Sequence, residues 1–225
     1  MMIRNVLSSL IAFVFGLLLM LALVFSGFIP VVDEPEKNLE WGSFPARPQV
    51  ELLPDGRNLE LLADFGYQDP RGRLWTATKG SIVNGASIPE VFWPIVGTPL
   101  IGKYRDASIV HDEACVRKSE DYRDVHRMFY EACRCSGVPD HQAKLLYAAV
   151  YHFGPAWEKR PVMEVRESEG PDGDLVSTTV TRMVPESLPI SPPPQSSVVD
   201  KLKSLIDSKN PSLEEIQSLD VTSLQ

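Results

Sequence analysis

Cysteine and histidine are both scarce: the 225 residues hold three cysteines and four histidines. With only Cys115, Cys133 and Cys135 available, a disulfide-dense secreted scaffold is excluded. An odd count still allows one bridge and one free thiol, and Cys115–Cys133 is the pair that two neighbouring helices could join. Cys133 and Cys135 fall about 200° apart around a helix, so they do not converge on one metal as a zinc pair would.

Clustered positive charge is missing too. The net charge is -8, and no Lys/Arg cluster supplies the basic face that phosphate neutralisation needs, so neither nucleic acid nor an anionic membrane surface is expected as the main partner. The sequence also lacks a P-loop, a G-x-G-x-x-G, an H-E-x-x-H and a G-x-S-x-G. Those absences remove nucleotide enzymes, zincins and α/β-hydrolases from consideration.

What the chain does have begins at its N-terminus. Val6 to Ile29 carries no charged side chain, and as a helix it would span about 36 Å, enough to cross a hydrocarbon core of ~30 Å. Arg4 precedes the run, whereas Asp33, Glu34 and Glu36 follow it. These flanks predict a single-pass anchor over residues 1–30 with a cytoplasmic N-terminus and an exported domain. A signal peptide cleaved after Val24-Phe25-Ser26 is the alternative, although the apolar run exceeds the ~7–15 residues of a usual signal core.

Residues 31–50 mix charge with prolines and read as a linker. Leu59, Leu61, Ala63, Phe65 and Tyr67 then alternate with their neighbours, QDPRGR turns the chain, and LWTAT extends again, the pattern of a hairpin. NGASIPEVFWPIVGTP is too rich in turn residues for regular structure and should cover a core or build a site. Three helices are predicted, over about 103–117, 121–136 and 140–153, the last two stopped by Gly137 and Gly154-Pro155. VMEVRES and LVSTTVTRM are strand-like, separated by EGPDGD, and are expected to close a sheet with the earlier hairpin. A Pro-rich linker over 185–198 leads to residues 199–225, an amphipathic helical tail with a capping box at Ser212-x-x-Glu215 and a candidate docking element for a protein partner. The expected fold is therefore α+β: a small antiparallel sheet packed on a three-helix cluster, within a domain of residues 51–184.

One segment is site-like. His111 falls on the apolar face of the first helix, where burial would keep its imidazole neutral and suited to accept a proton as a general base. Asp112 points about 100° away, toward a cation such as calcium or a neighbouring loop backbone. Asp124 and His126 on the second helix are the residues available to orient the imidazole. Asn84, Ser87, Trp93 and Tyr147 complete the cluster. The competing reading of each is bland: a buried histidine donating to a carbonyl, a tight turn at Asn84-Gly85, and a hydrophobic plug at Phe92-Trp93.

The order NGASIP, W, I-V-H-D, F-Y-E-A, S-G-V and a helix ending Y-x-x-V-x-x-F-G resembles the uncharacterised phage and bacterial family DUF1353, over about residues 55–157. Members typically carry Asp where this chain has Asn84, and Ala-Asp where it has Val125-His126. Both departures remove a carboxylate from the presumed site. His111-Asp112-Glu113-Ala114-Cys115 also looks like the His-Asp helix of secreted phospholipase A2. That resemblance implies His111 as the base for water and Asp112 as a calcium ligand, without the family's calcium loop or its disulfides. Two functions follow as expectations: a membrane-anchored, non-catalytic envelope domain, or a His-Asp hydrolase, metal-assisted and phospholipase-like.

Overall fold

The computed structural model describes residues 39–85, 88–98, 102–169 and 174–224. The predicted anchor over residues 1–30 lies outside the described residues, as does Ser87. Among the described residues, no helix is long and apolar enough to cross a membrane.

The chain is a mixed α and β structure of several helices and small antiparallel sheets. In order, the described elements are β1 (Val50–Leu52), β2 (Leu59–Leu61), β3 (Phe65–Gln68), β4 (Leu74–Ala77), β5 (Ile82–Val83), a short helix α1 (Trp93–Val96), α2 (Arg105–Arg117), α3 (Tyr122–Cys135), α4 (Asp140–Phe153), β6 (Trp157–Glu169), β7 (Leu175–Ser187), α5 (Ser196–Lys209) and α6 (Leu213–Gln217).

The single long strand expected across residues 59–67 is two. β2 is the centre of a three-stranded sheet, pairing with β1 and β5, while β3 pairs only with β4, in the register Phe65↔Ala77 and Tyr67↔Trp75. Leu62 N still donates to the Gln49 carbonyl at 2.9 Å, and the chain bends away beyond it, where Asp64 accepts from the Lys79 main chain at 2.8 Å. The β3–β4 turn is built on Asp69, a buried carboxylate that accepts from Arg71 N, Arg73 N and Trp75 Nε1 at 2.9–3.1 Å. Arg71 then pairs with Glu131 on α3 at 2.9 Å, tying hairpin to helix.

The three helices follow the periodicity closely. Asp121 caps α3 by accepting from Arg123 N. α3 ends where Gly137, at φ 77°, takes a left-handed turn that an L side chain resists. α4 is buried around most of its circumference, from Ala143 to Val150, which makes it the central rod of the fold. It stops at Gly154, where an added Cβ would meet the Val150 carbonyl oxygen at 2.3 Å.

Two regions depart from the expected plan. β6 and β7 form a sheet of their own, thirteen paired positions from Trp157↔Ser187 to Glu169↔Leu175, and do not join the earlier hairpin. Among the described residues of this pair, only Trp157 at the base is buried, its indole donating to the Glu120 carbonyl at 2.8 Å. The alternation in VMEVRES and LVSTTVTRM therefore makes an exposed ribbon, because no helix covers either face. At the C-terminus, Val198, Val199, Leu202 and Ile206 of α5 and Leu213 and Ile216 of α6 are buried in the same core as α4. Lys144 reaches Asn210 Oδ1 at 2.6 Å, and His152 Nε2 donates to the Ile216 carbonyl at 2.8 Å. All three cysteines are free thiols, so the Cys115–Cys133 bridge that the sequence allows is not formed, and Cys115 turns toward His111.

Candidate functional site

α2 and α3 meet along the face that holds the histidines. His111 and Cys115 are four residues apart, one turn along the same side of α2, and His126 enters from α3. His111 Nε2 lies 2.9 Å from His126 Nδ1. His126 Nε2 lies 3.1 Å from the carbonyl oxygen of Pro155. A carbonyl only accepts, so His126 carries its proton on Nε2, its Nδ1 is bare, and His111 Nε2 is the donor between the rings. Cys115 Sγ sits 3.6 Å from His111 Nε2 and 3.9 Å from Nδ1. The Phe129 ring packs on His111 at 4.7 Å between centroids, and Tyr122 meets His126 edge-on at 5.7 Å.

Both imidazoles are wholly buried. Burial pushes His126 down to about 4, only partly offset by its bond to Pro155. The same desolvation, with His126 beside it, holds His111 well below its ordinary value. Burial, and secondarily the Asp112 carboxylate, pushes the Cys115 thiol far up. The cluster at neutral pH is thus two neutral rings and a thiol.

Asp112 performs the second of its two expected roles. Its Oδ2 accepts from the main-chain N–H of Asn84 at 2.9 Å and of Gly85 at 2.7 Å, pinning the loop after β5 to the helix. Gly85 has φ 108°, which suits glycine alone at this approach. Among the described residues no group of carboxylates converges as calcium would require; the one group with metal-ligand spacing is His111, Cys115 and His126.

His111, His126 and Asp112 are therefore brought together, with Asn84 attached through its backbone. Asp124 is not: it is exposed, because two residues along α3 from the buried His126 is nearly the opposite side of the helix. Trp93 is half-buried, donates to the Ile88 carbonyl at 3.2 Å and lines a separate groove of about 650 Å³ with Leu52 and Arg57. Tyr147 lies in the core, where its hydroxyl accepts from Gln217 Nε2 at 2.7 Å. A cleft of about 490 Å³ adjoins the cluster, with Asn84, Asp112, Cys115, Lys118 and Pro155 on its wall. Neither imidazole is part of that wall.

Cys115 is the partner that sequence reasoning left out of the cluster. Its offset of four from His111 was the available signal, since that spacing places both on one helical face. The Asp69–Arg71–Glu131 bridge left less trace: burial pushes Glu131 up, with Arg71 opposing. Hydrogen bonds from Trp75, Arg73 and Arg71 overcome burial and hold Asp69 below the usual carboxylate range.

The known proteins that this chain resembles are themselves uncharacterised. The chain is 40% identical over 148 residues to the uncharacterised protein y4jT of Sinorhizobium fredii, a match covering 64% of this chain and 44% of the relative. It is 39% identical over 122 residues to the uncharacterised protein y4iH of the same organism, covering 54% and 50% respectively. The chain thus spans about half the length of these curated relatives. No solved structure matches it significantly. Residues 59–150, which hold Asn84, Asp112, Cys115 and the histidine pair, match the model of the family described as Protein of unknown function (DUF1353), so the resemblance read from the order of motifs is borne out.

Proposed function

We propose that the chain is a membrane-tethered, non-catalytic domain that serves a structural or protein-interaction role, with residues 1–30 as its anchor and the rest exported. One observation carries the non-catalytic reading: His111, the candidate base, is sealed by Phe129, Cys115 and His126 and lines no described cleft. A general base must come within about 3 Å of the proton it takes, directly or through one water. Here the ring's Nε2 is already committed to His126. The pair acts as a tie between α2 and α3, and Asp112 as the clamp that sets the loop at Asn84-Gly85.

The tether rests on the uncharged run from Val6 to Ile29 and its acidic exit. A protein partner fits the exposed β6–β7 ribbon, whose Met163, Val165 and Leu175 are largely uncovered, better than α5 and α6, whose apolar faces are buried on α4.

The test is a pair of measurements on the full-length chain. His111→Ala is expected to lower stability by about 2–4 kcal/mol, through the lost ring volume and an orphaned partner on His126, and the parent is expected to turn over neither carboxyl esters nor phospholipids. Parent turnover abolished by His111→Ala at unchanged melting temperature would establish the His-Asp hydrolase instead. Extraction of the full chain from membranes by alkaline carbonate would remove the anchor from the reading.

A further inference from the structure

We propose that His111, Cys115 and His126 form a binding site for a borderline-soft transition metal, zinc being the probe of choice. The inference goes beyond the functional reading above and does not depend on it. It starts from the donor set. Two imidazoles and one thiol converge so that their ligand atoms all lie within 4.8 Å of one another, with no carboxylate in the group. Nitrogen with sulfur is the set that zinc and its neighbours take, and it disfavours calcium and magnesium.

The separations fit. Tetrahedral zinc with bonds of ~2.0–2.1 Å to nitrogen and ~2.3 Å to sulfur places its ligands about 3.3 Å apart for two nitrogens and about 3.6 Å apart for nitrogen and sulfur. The chain holds His111 Nε2 and His126 Nδ1 at 2.9 Å, and Cys115 Sγ and His111 Nε2 at 3.6 Å. An opening of about 0.4 Å brings the two nitrogens to that spacing, and the third side, from the Cys115 sulfur to the His126 nitrogen, starts within 4.8 Å and has to close toward about 3.6 Å.

A second, independent feature points the same way. A histidine that ligates a metal almost always donates its other ring N–H to a carbonyl or carboxylate, which fixes the tautomer and aims the bare nitrogen inward. His126 has this arrangement: Nε2 donates to Pro155 and the bare Nδ1 faces His111 and Cys115. The Phe129 and Tyr122 rings supply an apolar surround, and Cys115 and Pro155 reach the wall of the adjoining cleft, the side from which an ion enters.

Binding balances simply. The proton shared between the rings moves from His111 Nε2 to its Nδ1, the Cys115 thiol loses its proton to solvent, and both imidazoles coordinate in neutral form. The metal then replaces one hydrogen bond between α2 and α3 with three coordinate bonds.

The test uses the full-length chain isolated without chelator. Near one zinc per chain is expected, and cobalt exchanged for it should give the thiolate-to-cobalt charge-transfer band. Cys115→Ser should lose that band and weaken zinc binding at least tenfold, as loss of a metal contact typically does, while Cys135→Ser should keep both. A folded parent that takes up no stoichiometric zinc, or a Cys115→Ser chain with the parent's band, overturns the proposal. Should Cys115→Ser fail to fold, X-ray absorption of the zinc-loaded parent decides: sulfur with imidazole nitrogen supports the site, and an all-oxygen shell overturns it.

Discussion

Two neutral imidazoles in direct contact make stability depend on pH in a calculable way. In the unfolded chain each titrates near 6.5, whereas in the fold His126 is pushed down to about 4 and His111 well below its ordinary value. Above pH 6.5 both states hold neutral rings and folding is unaffected. As pH falls below 6.5 the unfolded state takes up protons that the native state refuses, so stability is lost, and the loss from His126 is complete only near pH 4. One such histidine removes about 1.4 kcal/mol per pH unit across that window. At pH 5 His126 alone has cost about 2 kcal/mol, and His111 adds a loss in the same direction. His152, also lowered by burial, adds to the fall, whereas Glu131, raised by burial, opposes it weakly. The assay is urea unfolding of the chelator-treated chain at pH 7.5, 6.5, 5.5 and 5, followed by far-UV circular dichroism. The expected curve is flat above pH 6.5 and steepens below it, and His126→Gln should make the slope shallower. Stability independent of pH between 7 and 5 would refute the claim that these rings are buried and uncharged.

Asp112→Ala strips the acceptor from the Asn84 and Gly85 amides; a loss of about 2–4 kcal/mol is expected, with faster hydrogen exchange at those two amides than in the parent. Gly154→Ala drives a Cβ into the Val150 carbonyl oxygen and should cost more than about 2 kcal/mol by thermal melting. Trp157→Ala is expected to free the ribbon base, read as a rise in proteolytic cleavage between residues 157 and 187, because it removes the buried anchor and its bond to Glu120.

The helices were legible because their apolar spacing, caps and stops agree with one another: Asp121 opens α3, Gly137 closes it, and Asp140 to Phe153 was read to the residue. The strands were less so. Alternation from Leu59 to Tyr67 could not reveal that the chain bends where Asp64 captures the Lys79 amide and that the run is divided between two sheets. The same limit applies to β6 and β7, whose period-two pattern says that a strand forms but not that anything covers it. At the site, His111 was found from its helical face and His126 from its position on the next helix. Asp124 was set beside them although it lies about 200° around α3 from His126, an error of helical geometry rather than of chemistry. For Cys115 the sequence leaves a bridge and a free thiol both open. Only coordinates show that its sulfur faces a ring one turn away.

The strand pair β6–β7 runs thirteen positions out from its base, about 40 Å at the rise of an antiparallel strand. Pro155, two residues before that base, is the oxygen to which His126 is bonded. The ribbon's base and the histidine pair are therefore joined by one short stretch of chain, and the buried Trp157 that anchors the one stands two residues from the carbonyl that orients the other.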